Sequence, residues 1–334
     1  MRPASAQAQH IRPRGWLLCL FLFFLPAVAL AADGKVLRLL TIGNSFADDA
    51  TRYLPEVAAS AGSQIEVFRA NLGGASLQRH VEHLRAFREN PADAAGRPYR
   101  LPTLAEGGDP AYSLPEVLGA RAWDVITIQQ VSHLSFRLET YHPWVEELIA
   151  AIRDGAPQAE IVLHQTWAYR EDHPIFFRND GFTPDRMYSG LRDAYDALSR
   201  ETGFRLVVVG DAFHLARSTR RWRFPPLVER SSVTPDTIPD QSRSLNVGWR
   251  VKPDPTNGTP QVELDAIHAN VAGRYLGALV FHFTLFGVSE RPIAYRPEAL
   301  GEADARLLQA IAQTAVLAAR AGSCTPSGGR GNSQ

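Results

Sequence analysis

Short, almost continuous apolar runs alternate along this chain with longer stretches whose apolar residues recur at helical spacing, and this alternation limits the fold more than any other feature. The runs are Val36 to Gly43, Gln64 to Ala70, Asp124 to Gln129, Glu160 to His164 and Arg205 to Gly210. The helical patterns that follow them are Asp48 to Ala61, Leu77 to Phe87, Trp144 to Arg153, Asp185 to Thr202 and Ala212 to Arg220. Strands that are apolar on both sides, each followed by a helix, fit a parallel sheet covered on both faces. The expected fold class is α/β, as one three-layer domain over 32–322, because no Pro/Gly/Ser-rich linker divides the chain.

Three segments break the rhythm: Pro91 to Pro115, Thr166 to Pro184 and Phe224 to Val262. They read as loops. In a parallel α/β sheet ligands sit beyond the carboxyl ends of the strands, so such loops are either substrate walls or surface decoration. Tyr275 to Gly287 is strongly apolar but too short to cross a bilayer, and reads as a core helix. Ala303 to Ala321 reads as a final amphipathic helix, and 323–334 as a disordered tail.

The first 31 residues carry Arg2, Arg12 and Arg14 and no acid, then an apolar run from Trp16 to Leu30 ending in Ala29-Leu30-Ala31. This is the pattern of a secretory signal peptide cleaved after Ala31. A membrane anchor is the alternative, although a span needs about 20 apolar residues. Cleavage leaves 303 of the 334 residues and removes three of the 35 basic groups and none of the 35 acidic ones, for a net charge of −3. The expectation is an exported protein, periplasmic or secreted, with no membrane contact after cleavage. Balanced charge with scattered arginines excludes the basic footprint of a nucleic-acid binder. Of the two cysteines, Cys19 leaves with the leader and Cys324 has no partner for an intramolecular disulfide, so stability must come from a packed core.

Chemistry is expected where strands end. Ser45, in Gly43-Asn44-Ser45-Phe46, lies between the first strand and a helix N-terminus, which suits a nucleophile and equally suits a helix cap. Near the other end, Asp265-Ala266-Ile267-His268 precedes the apolar helix. A carboxylate three residues from an imidazole can orient it as a base for a serine, or can simply cap the helix. Asn71-Leu72-Gly73-Gly74-Ala75-Ser76 follows the second strand and offers backbone N–H groups. Gln129-Gln130-Val131-Ser132-His133 follows the third and offers carboxamide donors.

Serine after the first strand, glycine after the second, a side-chain amide after the third and a late Asp-x-x-His resemble the four blocks of the SGNH (GDSL-type) hydrolases. In GNSF, the GG turn, WDVITIQQVSH, HQTWAY and the DxxH followed by GRYLGAL, the chain resembles a bacterial sub-group catalogued as a domain of unknown function, over roughly Leu37 to Val288. The resemblance implies a five-stranded parallel sheet in flavodoxin-like order. It also implies Ser45 as nucleophile, His268 as general base and acid, and Asp265 as the group orienting it. The oxyanion hole it implies comprises the Ser45 amide, the Gly74 amide (Gly73 being the alternative) and a side chain of the third block. The superfamily has asparagine in that block where this chain has Gln129 and Gln130. Gln129 is preferred.

Asn44, Gln130, His164 and Trp167 are candidates for substrate contact, Trp167 by stacking on a sugar ring or, equally well, as packing. His133, His142, His173 and His214 lack zinc-site spacing, so no metal and no cofactor are expected. Asn257-Gly258-Thr259 forms a glycosylation sequon. The expected function is an exported serine esterase of small acyl esters, foremost acetyl groups on carbohydrate. Its partner would be a small-molecule or glycan ester, with oligomeric state open. Rival readings are a non-catalytic carbohydrate-binding protein on the same fold, and a lipase or thioesterase for longer acyl chains.

Overall fold

The computed structural model describes residues 35–101, 104, 110–178, 181–225, 229–289 and 292–323. The leader 1–31, both cysteines and residues 324–334 lie outside them. In chain order the elements begin with β1 (Leu37–Gly43), α1 (Ser45–Ala50), α2 (Leu54–Ser60), β2 (Ile65–Asn71) and α3 (Leu77–Glu89). A short antiparallel pair, β3 (Tyr99–Arg100) and β4 (Ala111–Tyr112), leads to α4 (Leu114–Gly119), β5 (Val125–Ile128), α5 (Trp144–Gly155) and β6 (Glu160–His164). Then come α6 (Ile175–Arg178), α7 (Pro184–Thr202), β7 (Leu206–Val207), α8 (Val209–Ser218), β8 (Asn246–Pro253), β9 (Pro260–Ala269), α9 (Val271–Phe286) and α10 (Glu302–Ser323).

The central sheet is parallel, ordered β2-β1-β5-β6-β7, which is the flavodoxin-like 2-1-3-4-5 arrangement. Alternate residues of each strand serve opposite faces. Leu39, Val125, Val162 and Val207 pack under α1, α2, α8, α9 and α10, whereas Leu40, Ile42, Ile126, Ile161 and Leu163 pack under α3, α4, α5 and α7. These two buried layers make the three-layer α/β/α sandwich. Strand order reverses between β1 and β5, so the crevice at this switch point is flanked by the residues that follow Gly43 and Ile128.

Three expected elements differ. The helix over 48–61 is two helices that begin earlier, at Ser45, with a turn at 51–53 just before Pro55, a residue that lacks an N–H and suits a helix's first turn. The fifth strand is confined to Leu206–Val207, and α8 starts at Val209. The stretch 224–262 is not all loop: β8 pairs antiparallel with β9. The hairpin turns at Asn257-Gly258, where Gly258 takes φ +75° and Asn257 Oδ1 accepts from the Thr259 N–H. The sequence motif that reads as a sequon is thus, structurally, a turn.

Candidate active site

Asn44, not Ser45, caps α1: its Oδ1 accepts from the Phe46 N–H at 3.1 Å. Ser45 is therefore the first helical residue, and its N–H has no partner among the described residues. Asn44 is itself held. Its Nδ2 donates to Ala75 O at 3.0 Å, and its Oδ1 also accepts from Gln129 Nε2 at 2.9 Å. Gln129 Oε1 in turn accepts from His164 Nδ1 at 2.9 Å. A second buried imidazole, His80, hydrogen-bonds the Gly43 carbonyl through Nε2 at 2.9 Å and Tyr99 Oη through Nδ1 at 2.8 Å. Desolvation pushes His80 down to about 4 and His164 to about 3, so both are neutral at pH 7. Two uncharged rings thus fix the strand end that carries Ser45.

Asp265 and His268 lie inside β9 rather than at a helix cap, the role that falls to Asn270. Residues three apart on a regular strand point to opposite faces. Here the ladder is irregular: Asn246 pairs with Ala269 and Gly248 with Asp265, so Val247 alone faces residues 266–268. That bulge brings the two side chains together. His268 Nδ1 lies 3.0 Å from both Asp265 oxygens, and the His268 backbone N–H donates to Asp265 Oδ1 at 3.0 Å. Gly248 is required by its φ of +77° and because a Cβ there would collide with Gln241 and Arg170. The bulge's carbonyls are tied down as well, Ala266 O by the Arg170 N–H and Ile267 O by Trp167 Nε1 and Asn246 Nδ2.

Two segments 223 residues apart in the chain meet where His268 Nε2 lies 2.9 Å from Ser45 Oγ. With Nδ1–H held by a carboxylate, Nε2 is the ring's acceptor and receives the serine O–H. The hydrogen bond that His268 donates to Asp265 raises the His268 pKa, burial opposes it, and the nearby charge of Asp49 adds to the rise while Arg250 lowers it. Burial pushes Asp265 upward, but hydrogen bonds from the His268 ring and backbone outweigh it and hold the carboxyl well below the usual carboxylate range. Arg250 stands 3.5 Å from Asp265 Oδ2.

The remaining sequence candidates separate cleanly. Gly74 is exposed at φ +63°, a conformation that favours glycine, and its N–H has no partner among the described residues. Gln129 is 2% exposed, with one amide hydrogen on Asn44. Gln130 is not a site residue: its Oε1 accepts from the Leu77 and Val131 N–H groups and its Nε2 donates to Thr140 O, all in the interior. His164 is fully buried, packs edge-on against Phe281 and, among the described residues, hydrogen-bonds Gln129 alone, so it does not reach the surface where a substrate would sit. Asn44, 1% exposed, is likewise a capping and bracing residue. Trp167 is 0% exposed, stacked between Phe46 at 4.1 Å and Phe213 at 4.6 Å, so it is packing and not a sugar platform.

Sequence reasoning missed three contributors. Asp49 accepts from the Ala269 N–H and from Arg274 Nε, both at 2.8 Å, fastening α1 to the strand that bears His268. Arg250 and His80 were the others. Asp48-Asp49 was visible beside Ser45, but a partner more than 200 residues away was not. Among the described residues no group of three or more His, Cys, Asp or Glu could hold a metal ion, and no helix is long and apolar enough to cross a membrane.

This sheet order, with a serine, a glycine turn and a glutamine at the switch point and an Asp-x-x-His brought to the serine, defines the class as a three-layer α/β/α protein with a flavodoxin-like parallel sheet. Residues 38–220 match the domain of unknown function DUF4886, and the chain belongs to that family. It is similar to a crystal structure of a DUF4886 protein from Bacteroides uniformis, at 23% identity, over 85% of this chain and 95% of that one, with a TM-score of 0.63. A structure from Slackia heliotrinireducens, described as a candidate SGNH hydrolase, is 22% identical over 74% of this chain and 97% of its own, with a TM-score of 0.42. A member of the lipolytic G-D-S-L family from Veillonella parvula is 12% identical over 75% and 98%, at 0.39. No protein of curated function matches the chain.

Proposed function

We propose that this protein is an exported serine esterase that removes small acyl groups, foremost acetyl, from carbohydrate esters. The observation that carries the reading is the hydrogen-bonded series Ser45 Oγ, His268 Nε2 and Nδ1, Asp265. Ser45 attacks the ester carbonyl as His268 takes its proton. The developing oxyanion is met by the Ser45 and Gly74 N–H groups and the second amide hydrogen of Gln129. His268 then protonates the departing alcohol, leaving an acyl-Ser45 ester. Water attacks that ester, His268 accepts its proton, and the acid leaves with Ser45 restored. Asp265 stabilises the imidazolium at both stages.

Export is supported by the arginine-led apolar run from Trp16 to Leu30. An exported esterase with small-acyl chemistry meets its substrates as esters of extracellular polymers, which is the support for acetylated carbohydrate. Acetate release from a panel of acetylated glycans, with Ser45→Ala as control, tests the whole reading. Fluorophosphonate should add one adduct mass to the wild type, on Ser45, and none to the variant. Wild-type turnover by Ser45→Ala, or octanoate esters preferred over acetate, would overturn it.

A further inference from the structure

A second concavity lies away from Ser45, between α7, α8 and the loop after β6, with a volume of about 670 Å³, within the range of small-ligand sites. It is lined among others by Glu171, Asp185, Tyr188, His214 and Arg217. None of Ser45, His268 and Asp265 lines it. Phe213, the neighbour of His214 on α8, stacks on Trp167, whose other face meets Phe46, the residue next to Ser45.

Its polar groups are partly paired: Asp185 Oδ1 stands 4.0 Å from His214 Nδ1, whereas one carboxylate has no such partner. Glu171 is half-buried, and burial raises its pKa, yet it has no hydrogen bond or ion pair among the described residues. Arg217 spends its N–H groups on neutral oxygens, Ala168 O at 2.9 Å and Asn246 Oδ1 at 2.8 Å, with no carboxylate within ion-pair distance among the described residues. Glu171 and Arg217 feel each other's charge without touching, so a half-buried carboxylate that lacks hydrogen bonds costs free energy unless a ligand supplies donors. Tyr188 and His214 stack in parallel at 3.8 Å, and the tyrosine hydroxyl is anchored on Asp211 Oδ1 at 3.1 Å. Burial lowers the His214 pKa, so this ring is neutral and presents one donor and one acceptor.

We infer that this concavity is a saccharide-binding site, distinct from the hydrolytic site, for a neutral polyhydroxylated ring. Hydroxyls both donate and accept, so they satisfy Glu171 and Arg217 together. Ring C–H faces suit the aromatic pair. The lining carries two carboxylates, Glu171 and Asp185, and two guanidinium groups, Arg217 and Arg223, so neither an anion nor a cation is matched by it, and an acyl chain would leave all four charges without partners. The inference deepens the glycan-ester reading and rests on it for biological sense, but its test does not use turnover.

The experiment is binding of neutral methyl glycosides and short neutral oligosaccharides at millimolar concentration, read by saturation-transfer NMR and calorimetry on the Ser45→Ala chain. Glu171→Leu and Tyr188→Leu are made in that background and, separately, in the wild type. At least one saccharide should bind, with affinity at least tenfold weaker in Glu171→Leu or Tyr188→Leu at unchanged unfolding temperature. If Tyr188→Leu does not fold, Glu171→Leu alone decides. Fluorophosphonate labelling of Ser45 should be unaffected in the two wild-type-background variants. Absence of binding across the panel, binding that survives Glu171→Leu, or preferential binding of phosphate, glycine or octanoate would each overturn the site. Failure of labelling with binding intact would instead count against the esterase.

Discussion

Gln129 donates through Nε2 to Asn44 Oδ1 at 2.9 Å, and so ties the end of β5 to the cap residue immediately before Ser45. The second hydrogen of that amide has no partner among the described residues. Gln129→Ala removes the brace and, on the proposed mechanism, an oxyanion donor. It should lower kcat by about a hundredfold or more with little change in KM, since loss of one such donor costs ~3 kcal/mol in the transition state. Turnover of p-nitrophenyl acetate checks this. A rise in KM with kcat intact would assign Gln129 to ground-state binding instead.

The pH dependence follows from His268, which must be neutral to take the Ser45 proton. Its hydrogen bond to Asp265 raises its pKa above 6.5, so kcat/KM should fall as pH drops through a midpoint above 6.5. Asp265→Asn removes that hydrogen bond's charge. The midpoint should move down, and kcat should fall by about 10³ to 10⁴. Arg250→Gln removes a positive charge that holds the His268 pKa down, so it should move the midpoint up. A pH-rate profile of the three proteins decides, and an unmoved midpoint in Arg250→Gln would remove Arg250 from the site's electrostatics.

The sandwich was legible in the sequence because β1, β5 and β6 are apolar on both faces and helices follow each of them, which leaves few other packings. Ser45 and the Asp-x-x-His were legible by type and spacing, since both are local signals. The bulge that joins Asp265 to His268 was not, because it depends on how β8, itself read as loop, registers against β9. The Asn257-Gly258 dipeptide was the available signal for that hairpin. The substrate contacts considered for Trp167 and His164 fall for a different reason: a loop or strand-end position suggests exposure, and only the tertiary stack, which leaves packing as the role of Trp167, and the Gln129 contact show that both are interior.

Acid should destabilise the fold before ordinary carboxylates titrate. His80 has a folded pKa of about 4 against 6.5 for the free side chain, because burial disfavours its charged form. Its contribution is complete above pH 6.5 and is lost as pH falls from there toward 4, when the unfolded chain binds a proton that the folded one refuses. At 1.36 kcal/mol per unit this amounts to ~3 kcal/mol at most, and His164 acts in the same sense. Urea midpoints should therefore decline between pH 6.5 and 5. His80→Gln, which keeps a donor for the Gly43 carbonyl, should flatten part of that decline, whereas a wild-type profile already flat over the window would show that the buried imidazoles do not govern it.

Trp167 offers the sharpest separation of packing from binding. It is wholly buried between Phe46 and Phe213, and its Nε1 donates to Ile267 O at 2.9 Å, one residue before His268. Trp167→Ala should cost ~3–5 kcal/mol of stability by opening a cavity in this stack. Trp167→Phe retains a ring in the stack but loses the hydrogen bond. The Ile267 carbonyl keeps its bond from Asn246, so the loss in stability should be smaller, with kcat reduced modestly and KM for a glycan ester unchanged. Thermal unfolding and steady-state kinetics on the two variants check this. A raised KM at an unchanged unfolding temperature in Trp167→Phe would return the side chain to the substrate-binding surface.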